Sequence, residues 1–286
     1  MNNQDNEKVF QKTNINWFPG HMAKTKRELL EQTKNVDIIY EVIDSRMPIS
    51  SRVEGMNEII GSKPRIVIAT KYDLCDKEIT DKLLENEDHV IKINLQKDEI
   101  YDIISATNEI MVDINNNRIQ KGLEKRKARV MVIGIPNVGK STLINRLVGR
   151  KVTTIGNKPG VTKSINWIRI NKDIELLDSP GVLWPKMDDD NRAHIIASFS
   201  SIKEEILNLD DIAIFILKKL YEYYPKRLEE RYGLTSLDED FIEAYETIGK
   251  RRGALSRGGE VDYDRVSNII IRDLNNGYFK GITLDR

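Results

Sequence analysis

The residues Gly134-Ile-Pro-Asn-Val-Gly139-Lys140-Ser141 read G-x-x-x-x-G-K-[ST]. That spacing suits a loop whose amides curl around phosphate oxygens: glycine admits close approach, and the following helix adds roughly half a positive charge at its N-terminus. Lys140 is placed to reach the β- and γ-phosphates and Ser141 to ligate Mg2+, while Asn137, Val138, Gly139 and Thr142 complete the cradle. Further along, Asp178-Ser-Pro-Gly181 offers a carboxylate that can hold the metal through water and an amide, that of Gly181, that can meet a γ-phosphate. Taken alone, these four residues are also an ordinary turn after a strand. Between the two motifs, Lys158-Pro-Gly-Val-Thr162-Lys is a Gly/Pro-rich segment in which Thr162 is the natural switch residue, closing on magnesium when the γ-phosphate is present. Earlier in the chain lies Thr70-Lys71-Tyr72-Asp73. The Asp73 carboxylate can accept hydrogen bonds from the N1 and N2 donors of guanine, which adenine lacks, and the Lys71 stem can lie along the base. T-K-x-D by itself is a weak signal, since charged turns commonly follow strands; the phosphate motifs give it weight.

These side chains need a scaffold that gathers loops at one edge. The runs Asp37–Asp44, Arg65–Thr70, Val90–Asn94 and Arg129–Gly134 are short, apolar and rich in β-branched residues. Helical patterns separate them, over Ala23–Thr33, Val53–Gly61, Glu78–Glu87 and about Asp98 to Lys125. With two further strands at Ile165–Ile170 and Ile174–Asp178, the first 185 or so residues predict a doubly wound, mainly parallel α/β domain. After Trp184-Pro185 the pattern turns helical. Asp210 and Asp211 are read as N-caps of a helix ending before Pro225, Asp238 as the start of a second helix closing near Gly249, and Asp262 as the start of a third.

Composition narrows the function. The chain has 286 residues with 45 basic and 45 acidic side chains, so no global charge argues for nucleic acid, and any such contact must come from local clusters. A lone Cys75 excludes an internal disulfide and a Cys-based zinc site. No apolar run approaches the roughly 18 residues of a spanning helix, and the first 14 residues lack the features of a signal or transit peptide, so a cytoplasmic protein without a membrane span is expected.

The order T-K-x-D, then phosphate loop, then D-S-P-G resembles that of the circularly permuted GTPases. Asn16-Trp-Phe-Pro-Gly-His21-Met-Ala-Lys24 and the stretch Gly249-Lys-Arg-Arg-Gly253…Gly258-Gly-Glu-Val-Asp262 are similar to the RbgA (YlqF) family of bacterial ribosome-biogenesis GTPases, a likeness running over nearly the whole chain from Ile15. The resemblance implies a flexible tail (1–14), a circularly permuted P-loop GTPase domain (15–185), a linker (186–208) and a small C-terminal α-helical domain that binds RNA or the ribosome (209–286). It implies hydrolysis of GTP to GDP and phosphate with Mg2+, stimulated by ribosomal particles, in a monomer that docks on the large (50S) subunit precursor in its GTP state and leaves after hydrolysis. His21 would orient the attacking water, because Val182, standing where many GTPases carry glutamine, cannot. Asn137 would help bind K+ near the phosphates, and Asn94 and Leu95 would touch guanine. Lys250, Arg251, Arg252 and Arg257, on a flexible glycine-interleaved loop, would meet rRNA; a solvated helix end explains the same charges on physics alone. Thr70 departs from the family pattern, which places asparagine there to tether the base-reading loop. Two other readings share the phosphate loop: an ATPase or small-molecule kinase unconnected with ribosomes, and a nucleotide-dependent RNA-binding module with negligible turnover.

Overall fold

The computed structural model describes residues 27, 29–152, 166–178, 189–202 and 207–286. The segment 16–24 with His21, and Thr162, Gly181 and Val182, lie outside the described residues, as does the side chain of Asp178.

All six expected strands form, within a residue or so of the expected bounds. They are β1 (Ile38–Asp44), β2 (Arg65–Thr70), β3 (Val90–Ile93), β4 (Ala128–Ile133), β5 (Asn166–Arg169) and β6 (Ile174–Asp178). They make one sheet of order β3-β2-β1-β4-β6-β5, parallel except where β5 runs antiparallel to β6. Every residue of β1 is buried, as expected for a central strand covered on both faces, and its run is mostly apolar rather than alternating, with Glu41 and Asp44 as its charged residues. Helices α1 (Met56–Ile60), α2 (Lys77–Leu83), α3 (Tyr101–Gln120) and α4 (Lys140–Val148) make the crossovers. Parallel strands joined in this way bring all the strand-to-helix loops to the carboxyl edge of the sheet. Helix α3 stops at Gln120, short of Lys125, because the chain turns back along it: Asn115 bonds both the amide and the carbonyl of Arg126 (3.0 and 3.2 Å), and Arg118 donates to Glu124 O (3.0 Å).

Among the described residues the chain falls into two compact units, one holding the sheet together with residues 200–202 and 280–286, the other formed by 197–199 and 207–279. Helix α5 (Asp190–Ser198) precedes the second unit's bundle of α6 (Leu209–Tyr223), α7 (Pro225–Tyr232), α8 (Ile242–Arg252) and α9 (Tyr263–Asn275). Two expectations need correction here, the cap of α6 and the bounds of α8. The cap of α6 is Asn208, whose side chain accepts from the amides of Asp210 and Asp211 (3.1 and 3.4 Å). Helix α6 ends at Tyr223, before Pro225 as expected, and Pro225 opens α7 from the first position, where its fixed φ is preset and its missing N–H costs nothing. Helix α8 runs on to Arg252 and starts after Phe241, with the Asp238 carboxylate reaching forward to the amides of Glu243 and Ala244 (3.1 and 3.2 Å). Asp262 caps α9 as expected, accepting from Arg265 N at 3.0 Å. Helix α6 packs against α9, and Ile216, Leu217 and Leu220 of the one and Val266, Ile270 and Leu274 of the other are buried.

Candidate nucleotide site

The loop between β4 and α4 starts at Gly134, where a Cβ would stand 2.5 Å from the carbonyl oxygen of Val42 on the adjacent strand; only glycine lets the loop leave the sheet this closely. It ends at Gly139 with φ of 103°, again a glycine conformation, with Leu95 and Thr70 packed against it. Three consecutive carbonyls of the loop are taken up by neighbouring side chains. Ser201 Oγ donates to Pro136 O (2.8 Å), Lys71 Nζ to Asn137 O (2.9 Å) and Thr70 Oγ1 to Val138 O (2.6 Å). Asn137 sits at φ 63°, and its side-chain amide donates to Ser200 O. Successive amides in such left-handed turns form a concavity suited to an anion, reinforced by the N-terminus of α4. Lys140, 8% exposed, curls back to Ile135 O at 2.7 Å, while Ser141 and Thr142 follow it in the first turn, half-buried.

The loop after β2 is bound to this one at two points. The Thr70 hydroxyl is shared between Val138 O and Ile43 O (3.0 Å), so a threonine supplies the tether expected of an asparagine amide. Lys71, at φ 56°, spans from Asn137 O to Asp44 Oδ2 (2.7 Å). Asp44 is fully buried and is also gripped by Arg46 through Nε and Nη2 (3.0 and 2.8 Å). Burial alone would raise its pKa, but the adjacent Arg46 and Lys71 cations outweigh it and hold the carboxyl well below the usual carboxylate range. Tyr72 turns away to Asp81 (2.9 Å), its ring flanked by the ammonium groups of Lys77 and Lys92. Asp73 is exposed, and its carboxylate engages none of the described residues.

The loop after β3 completes the edge. The Asn94 side-chain oxygen accepts from Gln96 N (2.8 Å) and its backbone N–H donates to the Asp98 carboxylate (2.7 Å), which shapes the turn. Leu95 is buried against Gly139, and its carbonyl accepts from Arg146 of α4 (3.0 Å). Asp178 ends β6 in register with Val132 of β4, which places its backbone beside the strand that feeds the phosphate loop. Thr70, Lys71, Leu95, Asn137, Val138, Gly139 and Lys140 are therefore brought together. Sequence reasoning missed Asp44, Arg46 and Arg146, the charged residues that join the loops; the one available signal was an Asp at a strand's end two residues before an Arg.

This loop order on this sheet defines a circularly permuted P-loop GTPase. Residues 129–252 match the family model described as "50S ribosome-binding GTPase". The chain is 41% identical to the ribosome biogenesis GTPase A of Priestia megaterium over 95% of its length and 96% of that relative, and 26% identical to the protein of the same name from Thermotoga maritima over 95% and 94%. It belongs to the ribosome biogenesis GTPase A family. A crystal structure of GNP-bound YlqF from T. maritima, 23% identical, shares the fold with a TM-score of 0.63 over 92% of this chain and 98% of that one.

The second unit carries the expected basic cluster. Lys250, Arg251 and Arg252 are exposed in the last turn of α8, Lys250 paired with Glu246 at 2.8 Å. The segment after them forms a hairpin: Leu255 bridges Val261, Ser256 N donates to Glu260 O (2.8 Å) and Gly259 N to Ser256 O (3.0 Å), leaving Arg257 at an exposed tip. In the first unit, the stretch 121–129 is partly neutralised, Arg126 pairing with Asp37 and Lys127 with Glu175.

Proposed function

We propose that the chain binds GTP with Mg2+, hydrolyses it to GDP and phosphate, and serves as an assembly factor of the large ribosomal subunit, docking on the precursor with GTP bound and leaving after hydrolysis. The observation that supports this most is the double tether, Thr70 to Val138 and Lys71 to Asn137, which fixes the loop carrying Asp73 against the phosphate loop. In this reading Gly139, Lys140 and Thr142 receive the phosphates, Thr70 to Asp73 with Asn94 and Leu95 frame the guanine, and Gly181 meets the γ-phosphate. The hydroxyls of Ser141 and Thr162 with the Asp178 carboxylate form a hard oxygen donor set that suits Mg2+, which would supply charge compensation at the phosphates. The Asn137 side-chain oxygen would contribute to a K+ site. His21 would orient water for attack, its neutral imidazole accepting the proton.

The exposed Arg251, Arg252 and Arg257, with Lys250, make the helical unit the part that meets rRNA phosphates, with the protein acting in the cytoplasm as a monomer. Among the described residues no helix is long and apolar enough to cross a membrane. Turnover measured with and without isolated large subunits tests the proposal. Faster GTP hydrolysis with subunits, and little ATP binding, is the expected result; tight ATP binding without ribosomal association would defeat it.

A further inference from the structure

The segment that follows α9 runs Lys280-Gly-Ile-Thr-Leu-Asp285-Arg286 and packs with the sheet-bearing unit. Ile282, Thr283 and Leu284 are fully buried and Asp285 nearly so. Ordering such a stretch costs roughly 1–2 kcal/mol of backbone entropy per residue, so its contacts must be worth forming. They converge on the two loops behind the base-reading motif. Gly281 N and Ile282 N both donate to Leu74 O (2.9 and 3.2 Å), the carbonyl next to Asp73. Leu284 N donates to Arg46 O (2.8 Å), the residue whose guanidinium holds Asp44 and, through it, Lys71. Thr283 Oγ1 pairs with Thr80 Oγ1 (2.8 Å), which in turn donates to Ser45 O (2.9 Å). The Asp285 carboxylate accepts from Ile49 N and Ser50 N (2.6 and 2.8 Å) and from the Ser50 hydroxyl.

We infer that residues 281–285 are a positioning strap for guanine recognition: they fix the backbone at Leu74, directly after Asp73, and at Arg46, whose side chain holds Asp44 and with it Lys71, so base selectivity depends on a segment far away in sequence. Thr70 and Lys71 anchor the front of the loop to the phosphate site, but Asp73 itself has no side-chain partner among the described residues and is the last residue before the strap's contact at Leu74. Within the turn Leu74 N closes on Lys71 O (2.9 Å) and Tyr72 N reaches Ile93 O (3.5 Å), and the strap's two bonds to Leu74 O add a fixing point on the trailing side of Asp73. The inference rests on Asp73 reading the base, and it adds that Thr283 and Asp285 act on selectivity through backbone they do not share with the ligand.

The test compares GDP with inosine diphosphate, which lacks only the 2-amino donor, and with pyrophosphate, which lacks the base. Wild type should prefer GDP over inosine diphosphate by about tenfold or more, the worth of a hydrogen bond to a charged group. In Thr283→Val, Asp285→Ala and a variant with 281–286 replaced by glycine and serine, that preference should fall toward one while pyrophosphate affinity stays within about threefold. A merely structural role would lower the melting temperature and all three affinities together, leaving the ratio intact. An unchanged ratio in the two point variants overturns the strap, whether or not the replacement variant folds. A wild type without preference for GDP overturns the reading of Asp73 itself, which separates the two failures.

Discussion

The carboxyl edge of the sheet and the basic end of α8 both carry the charges a polyanion would meet, but they hold them in opposite ways. At the sheet edge the cations are engaged: Lys71 and Arg46 grip a fully buried Asp44, Lys140 caps a carbonyl, and Arg146 fastens Leu95. On α8 and its hairpin, Arg251, Arg252 and Arg257 stand exposed with no ion pair among the described residues. A small ligand must be met by groups fixed before it arrives, and low dielectric with neighbouring dipoles achieves that. A large polyanion is met by many screened charges, each contributing modestly through counterion release. The sheet edge is therefore sensitive to single substitutions, the helical unit to the sum of its charges.

Substitutions can break this contrast, and the largest effect belongs to the buried charge. Asp44→Ala leaves Arg46 and Lys71 without their shared carboxylate and should cost about 3–5 kcal/mol of stability, read from chemical denaturation, together with guanine-nucleotide affinity. Lys140→Ala should slow GTP turnover roughly a hundredfold and, because it also removes the buried donor to Ile135 O, should lower stability by about 1–3 kcal/mol. Thr70→Val leaves two buried carbonyls, of Val138 and Ile43, without their shared donor; a loss of about 1–3 kcal/mol is expected, divided between stability and GDP affinity.

Acid titration sharpens the comparison further. The Asp44 pKa in the fold lies below its unfolded value of about 3.9, so its contribution is complete above that value and is lost as pH falls through the folded one. The stability gap between wild type and Asp44→Asn should stay flat from about pH 5 to 8 and narrow below about pH 4. The smallest single effects belong to the helical unit. Arg251→Ala or Arg257→Ala should each weaken binding to large-subunit particles a few-fold and reduce the salt dependence by about one unit of slope, with intrinsic GTP turnover unchanged.

Much of the sheet was legible because parallel strands buried on both faces are written as short β-branched runs, as β1, β2 and β4 are; the antiparallel edge strand β5, with Trp167 exposed, is not such a run. The phosphate loop was legible because its glycines answer a local demand: close approach at Gly134 and a positive φ at Gly139. What the sequence concealed is whatever depends on pairing between distant segments. Asp44 joins Lys71 only because β1 and β2 lie side by side with Asp44 opposite Thr70. The strap at 281–285 reaches Leu74 and Arg46 across two hundred residues or more, a contact no periodicity encodes. Local signals also fell short where one residue serves two purposes. Pro225 ends one helix and opens the next, and Asn208 caps α6 ahead of the two aspartates that looked like the better caps.

The central claim is that Asp73 and the phosphate loop form one guanine-nucleotide site despite their inverted order in the chain, and exchanging one atom group tests it. Xanthine carries a carbonyl at C2 where guanine carries an amino group, so an amide at position 73 can donate where a carboxylate can only accept. Equilibrium binding of Asp73→Asn to GTP and to xanthosine triphosphate should show affinity lost for the first and gained for the second. Undiminished GTP affinity in that variant would contradict the account.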